Sequence, residues 1–123
     1  MADPRRQLGL EGERLAEAYL RRQGLKTVAR RYNTPVGEID LVMRAGDTLV
    51  FVEVKTRRSR ALADPQDSVR RPKQQKLARC AGWFLQRRRW TGRPWRFDVV
   101  AVVLPEQGTP EIEHFPDAFW PNE

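Results

Sequence analysis

Two short runs, Gly37-Glu38-Ile39-Asp40-Leu41-Val42 and Leu49-Val50-Phe51-Val52-Glu53-Val54-Lys55, constrain this chain most. Both read as buried β-strand, yet they carry carboxylates and an amine. A buried charge is costly unless it is paired or bound to a metal. If Gly46-Asp47 is a two-residue hairpin loop with glycine at positive φ, Asp40 lies opposite Glu53 and Glu38 opposite Lys55. Directly opposed side chains share a face, and so do Glu53 and Lys55, two residues apart. One patch then collects Glu38, Asp40, Glu53 and Lys55. The other face carries Ile39, Leu41 and Met43 against Val54, Val52 and Val50. The plain alternative is a solvated face of cross-strand ion pairs.

Two adjacent carboxylates repel one another, and together they suit a hard divalent cation such as Mg²⁺ or Mn²⁺. The Val54 carbonyl is a candidate third ligand. Such a cation acidifies water, which supplies a nucleophile near neutral pH. Lys55 would orient that water or stabilise charge growing on a phosphate. These parts match phosphodiester hydrolysis.

The rest of the chain supplies a scaffold. Apolar spacing predicts a helix over residues 7–23, with Leu8, Glu11, Leu15, Ala16, Ala18, Tyr19 and Leu20 as its stripe and Gly24 as its stop. Strands are expected over 26–32, 38–44 and 48–55, with a turn at Asn33-Thr34-Pro35. A basic, proline-containing connection covers 56–71. A second helix starts at Pro72 and runs to Arg88, with Leu77, Ala81, Phe84 and Leu85 inward. A fourth strand covers 96–104, its apolar run pointing to burial on both faces. Residues 111–115 read as a short edge strand. The order is α-β-β-β-α-β with this last strand in addition. That is an α/β fold, a central mixed sheet flanked by helices, in one domain spanning 1–123.

The 123 residues carry a net charge of +7, and the basic residues cluster, which favours nucleic acid as partner. Candidate phosphate contacts are Arg57, Arg58 and Arg60, then Arg71, Lys73 and Gln74 beside the second helix. Arg87 to Arg89 read as a solvated face. Tryptophan can stack on bases, but of the four here Trp83 is assigned to the core, and Trp90, Trp95 and Trp120 are given no such role. The single cysteine, Cys80, lies in a helical apolar pattern and reads as core, and the single histidine, His114, has no triad partners nearby. No Cys/His set exists for zinc. No apolar run reaches the ~20 residues of a membrane span, and the N-terminus lacks the apolar segment of a signal peptide. A cytoplasmic protein is expected.

Asp40, Glu53 and Lys55 resemble the Asp…Glu-x-Lys signature of the PD-(D/E)xK nuclease superfamily, which includes restriction enzymes and Holliday-junction resolvases. More closely, the chain resembles the YraN family of predicted endonucleases. The match runs through Gly12-Glu13, Ala16, Leu20, Asn33, Gly37-Glu38-Ile39-Asp40-Leu41, Phe51-Val52-Glu53-Val54-Lys55, Arg57, Lys73, Arg96-Phe97-Asp98-Val99-Val100 and Ala118-Phe119. The resemblance implies a restriction-endonuclease-like core, with Asp40 and Glu53 as metal ligands and Lys55 as catalytic lysine. It also implies Glu13 as a helix-one glutamate completing the metal site. Thr34-Pro35 stands where relatives carry an aromatic residue and arginine, leaving Arg30 or Arg31 to face phosphate. The expected substrate is DNA rather than RNA, branched or single-stranded. The alternative is an inactive module that binds nucleic acid or a protein. A resolvase-like role implies a homodimer, with Phe119 and Trp120 as interface candidates.

Overall fold

The computed structural model describes residues 3–60 and 71–120. They form a five-stranded mixed sheet, in spatial order β1-β2-β3-β4-β5, with one helix on each face. This α/β architecture is the expected one and is compatible with a restriction-endonuclease-like core.

Helix α1 (Pro4–Arg22) begins three residues earlier than the apolar spacing suggests. The cause is local. Asp3 caps the helix by accepting the Arg5 N–H at 2.9 Å, and Pro4 takes the first helical position, where its missing N–H costs nothing. Ala16 and Leu20 bury against the sheet. So does Glu17, whose carboxylate accepts from Arg30 Nε at 2.8 Å and from the Thr27 hydroxyl at 2.6 Å. A buried charge on a helix's inner face is tolerated because both partners come from the strand beneath it.

That strand, β1 (Lys26–Thr34), pairs antiparallel with β2 (Gly37–Ala45). The turn is Pro35-Val36 rather than Asn33-Thr34-Pro35. The Thr34 hydroxyl accepts the N–H groups of Val36 and Gly37 at 3.2 and 3.1 Å, closing the loop one residue later. The β2–β3 hairpin has the expected two-residue loop, with Gly46 at φ 59° and Ala45 opposite Thr48. Strand β3 (Thr48–Arg57) continues parallel beside β4 (Trp95–Val103), and β5 (Glu111–Phe115) closes the far edge. Helix α2 (Arg71–Arg87) makes the parallel crossover, burying Leu77, Cys80, Ala81 and Phe84.

The two faces hold separate cores. Ile39, Val42, Leu49, Phe51, Phe97 and Val99 pack under α2; Leu41, Met43, Val50, Val52, Val100 and Val102 pack under α1. Strand β4 is therefore buried on both faces, as its apolar run predicts. Phe119 stacks on Phe97 with ring centroids 4.9 Å apart, so it belongs to this chain's own packing. Trp120 is 51% exposed and leans on Trp95. Trp83 is half-buried beneath the Arg87 guanidinium, 4.6 Å above its ring, which corrects its assignment to the core. Among the described residues, no helix is long and apolar enough to cross a membrane.

Helix α1 touches β3 through Gly12. A Cβ there would overlap the Thr56 hydroxyl and lie 2.8 Å from Thr56 Cβ and Cγ2. Gly12→Ala gains up to ~1 kcal/mol of helix propensity, but overpacking of this kind costs ~1–3 kcal/mol. The melting midpoint is expected to fall by several degrees. A variant that melts at or above the parent temperature would show that the helix is free to move away.

Candidate active site at the fork of the sheet

Strand β2 pairs with β1 from Gly37 to Arg44, but with β3 only from Leu41 to Ala45. Strand β3 pairs with β4 from Leu49 to Arg57. Past Leu41 and Val52 the sheet therefore forks, β2 leaving with β1 and β3 staying with β4. The hairpin register is the expected one as far as that pair. The ladder does not continue to Asp40–Glu53 or Glu38–Lys55.

The fork has a local cause. In the β1–β2 register Arg31 lies opposite Asp40, between the pairs Arg30–Leu41 and Tyr32–Ile39, and Arg31 has φ 48°. The strand pair turns there. Ile39 consequently enters the α2-side core, not the α1-side core that holds Leu41 and Met43, which corrects the expectation that the three share a face. Glu38 is exposed, and the ladder does not pair it with Lys55.

Asp40, Glu53 and Lys55 sit in the opening. The Asp40 carboxylate accepts the Val54 N–H at 2.9 Å, so a side chain takes a donor the ladder has released. Glu53 is 5% exposed, with Lys73 Nζ at 2.5 Å and Lys55 Nζ at 3.8 Å from its Oε2. Lys73 comes from the first turn of the described part of α2. Its side chain is 44% exposed, and its ammonium group pairs with Glu53. Gly37 admits α2 to this end, since a Cβ there would lie 2.8 Å from Lys76 Cε and 3.2 Å from Cys80 Sγ.

The electrostatics follow from burial and crowding. Burial, then the Glu53 charge, push Asp40 up to about 8 against the single lowering hydrogen bond of Val54 and the attraction of Lys73. Burial and the neighbouring Lys73 charge lower Lys55, with Glu53 pulling the other way. Burial also works against the charge of Lys73, but its contact with Glu53 outweighs that and leaves it raised. Asp40 is thus raised, while Glu53 lies against the ammonium groups of Lys55 and Lys73.

Glu13 points into this neighbourhood from α1. Its carboxylate accepts from Arg31 Nε at 3.0 Å, and its charge contributes to raising Asp40. It does not close a three-carboxylate set: among the described residues no group of three or more Asp, Glu, His or Cys side chains is arranged to hold a metal. Asp40 and Glu53 place two carboxyl groups at the fork, and carboxylate oxygen is the hard donor type that Mg²⁺ and Mn²⁺ take.

The expected phosphate contacts spread more widely. Arg58 donates to the Leu104 carbonyl at 3.1 Å, tying β3 to the end of β4. Arg60 pairs with Glu111 at 2.7 Å and Glu113 at 3.9 Å on β5, so its charge is already engaged. Arg71 is exposed at the start of α2, and Arg57 and Gln74 flank the fork on β3 and α2. Arg30 and Arg31 pair with Glu17 and Glu13. Residues 61–70 of the basic connection, Arg70 among them, lie outside the described residues.

Comparison with known proteins places these residues in a family. The model of the uncharacterised protein family UPF0102 matches residues 12–102, which takes in Glu13, Asp40, Glu53, Lys55 and Lys73. The chain belongs to the UPF0102 family. A UPF0102 protein of Syntrophotalea carbinolica is 47% identical over 119 residues, covering 97% of this chain and 96% of its own. A UPF0102 protein of Pseudomonas aeruginosa is 46% identical over 116 residues, covering 93% of each chain. One from Geotalea uraniireducens is 43% identical over 112 residues, covering 91% and 88%. The similarity to UPF0102 proteins thus extends over the scaffold and the fork together.

Proposed function

We propose that this UPF0102 protein is a divalent-metal-dependent nuclease of the PD-(D/E)xK type, hydrolysing phosphodiester bonds in DNA. The observation that carries the reading is the fork itself. It gathers Asp40, Glu53 and Lys55 into one opening, where burial and repulsion hold Asp40 at about 8. Asp40, Glu53 and the Val54 carbonyl would hold Mg²⁺ or Mn²⁺. Bound there, the ion would acidify water and offset phosphate charge.

The chain's own residues supply the rest. Lys55 stands one side chain from Glu53, with its proton made easier to release by burial and by Lys73. It would stabilise charge on the attacked phosphate. Lys73 holds Glu53 in place through its 2.5 Å contact. Arg57 and Arg71, beside the opening, would meet the flanking phosphates; such contacts fix position and not sequence. Branched or single-stranded DNA fits a site with no base-reading motif, and two copies acting together would cut both strands of a junction.

A cleavage screen over branched, flapped, single-stranded and duplex DNA with Mn²⁺ tests this. Lys55→Ala is expected to lose on the order of 10²-fold in rate, as removal of one transition-state donor does. Metal binding measured by calorimetry should be retained. Cleavage undiminished in Lys55→Ala would remove that lysine from the reaction.

One observation favours a second reading, a nuclease-fold module that binds nucleic acid or a protein without cutting. The Lys73–Glu53 contact at 2.5 Å occupies a would-be ligand. Calorimetry with Mn²⁺ separates the two. No Mn²⁺ uptake together with retained DNA binding would establish the non-cutting role.

A further inference from the structure

The opposite end of the α2 face carries a second concave site. A cavity of about 240 Å³ is lined by Val28, Leu49, Phe84 and Trp90 and rimmed by Arg44, Arg88 and Arg93. Leu49 and Glu53 lie on the same strand four residues apart, which puts the cavity ~13 Å from the fork at ~3.3 Å per residue. It is a separate site.

The three arginines are held in place by groups that leave their charge uncompensated. Arg93 Cζ lies over the Trp90 ring, 3.4 Å from its centroid, and Trp90 Nε1 itself donates to the Pro94 carbonyl at 3.1 Å. Arg88 lies 4.9 Å above Phe84. Arg44 donates its Nε–H to the Gly46 carbonyl at 2.8 Å, leaving its terminal N–H groups. Stacking on a ring uses the guanidinium face and leaves its in-plane donors available. Among the described residues, none of the three pairs with a carboxylate. Elsewhere Arg30, Arg31, Arg60 and Arg96 each do. Three unneutralised guanidiniums around an apolar floor call for a ligand with a compact anion and a ring. Phosphate suits the bidentate fork of arginine, and the floor suits a base or sugar.

We infer that this cavity binds a nucleotide unit, its phosphate against Arg44, Arg88 and Arg93 and its base or sugar in the apolar-lined space between them. At 240 Å³ it is smaller than the ~300–1,000 Å³ of drug-sized pockets, so one unit fills it. The unit comes either free or within a strand. The site does not depend on the metal reading of the fork.

The test is calorimetric titration of the full-length, metal-free protein with dAMP, an eight-residue oligo-dT, inorganic phosphate and a poly-glutamate peptide. Either dAMP or the oligonucleotide is expected to bind at least tenfold more tightly than inorganic phosphate. Arg44→Gln and Arg93→Gln should each weaken that binding by about tenfold, the value of one charge-assisted contact. Arg5→Gln, an exposed arginine on α1, should leave it unchanged. Binding by dAMP marks a free nucleotide; binding by the oligonucleotide alone marks a strand. The inference is overturned if neither binds, if phosphate alone binds as well, if Arg5→Gln weakens binding equally, or if poly-glutamate binds as tightly as the nucleotides. Because no metal is present, loss of Mn²⁺-dependent cleavage would not affect the result.

Discussion

Asp40→Asn is expected to abolish Mn²⁺ binding and sharply reduce DNA cleavage while raising the stability of the metal-free protein. Asparagine has nearly the same shape, and its carbonyl can still accept the Val54 N–H. What it lacks is a proton to lose. In the parent, Asp40 is held at about 8, far above its unfolded value, by burial and by Glu53. A raised carboxyl contributes stability fully below its unfolded value, near pH 4. That contribution is lost as pH rises through the folded value, because the unfolded chain ionises first. Metal-free parent protein should therefore weaken between about pH 4 and 8 through this group. Each pH unit separating the unfolded and folded values corresponds to ~1.4 kcal/mol at most, and solvent reaching the opening reduces that. If ~2 kcal/mol survives, the variant melts ~6–10 °C higher at pH 8. Metal reverses the order. The parent must release the Asp40 proton to bind, so Mn²⁺ affinity should rise up to tenfold per pH unit toward pH 8 and then level. Cleavage in the variant should drop on the order of 10³-fold, the several kcal/mol that a bound cation supplies. Thermal melts across pH, with and without Mn²⁺, read all of this. A variant that is less stable than the parent at pH 8, or that still gains stability from Mn²⁺, would mean that Asp40 is neither strained nor a ligand.

The fork explains which parts of this molecule the sequence discloses. The β2–β3 hairpin is legible because alternation and the Gly46-Asp47 loop fix register within a few residues. Leu41 does face Val52, as local pairing requires. The fork is not legible in that way. Extending the alternation through Asp40 is the natural reading, and it places Ile39 and Glu38 wrongly. The signal against it is the left-handed conformation of Arg31, a non-glycine residue on another strand. Lys73 belongs to the same class of omission. Its basic neighbours suggest a phosphate contact, and its partner Glu53 is reached only once α2 crosses over the sheet. Glu17 looks like a polar residue of an amphipathic helix, and only the position of Arg30 beneath it makes its burial tolerable. Local periodicity predicts elements; charge compensation depends on which elements meet.

Asp98 illustrates the same point and carries the largest expected loss of stability. It sits in the apolar run of β4 and is fully buried. Arg96 Nε and Nη2 donate to it at 2.9 and 3.2 Å, His114 Nε2 lies 2.7 Å away, and the Asp117 N–H donates at 2.9 Å. The Arg96 contact lies within β4, while His114 on β5 and Asp117 beyond it belong to the C-terminal segment, which continues into Phe119 stacked on Phe97. The carboxylate therefore fastens the edge strand and the aromatic lid to the centre of the sheet. Burial alone would raise it, but His114, Arg96 and the Asp117 N–H more than offset this and leave it lowered. Asp98→Ala leaves the Arg96 guanidinium and a backbone N–H without their acceptor inside the fold. Breaking a buried pair from one side costs ~3–5 kcal/mol, a large share of the ~5–15 kcal/mol that holds a domain of this size together. The urea midpoint should collapse, and near-ultraviolet dichroism from the Trp95–Trp120 region should weaken first. The pH sign is opposite to that of Asp40. A lowered carboxyl contributes stability above its unfolded value and loses it as pH falls through the folded one. The parent should thus lose stability below pH ~4 through this group, and Asp98→Asn should lose less there while being weaker at pH 7. Equal stability of parent and Asp98→Ala at pH 7 would show that β5 is held by its backbone ladder alone, and that the carboxylate is incidental to that edge.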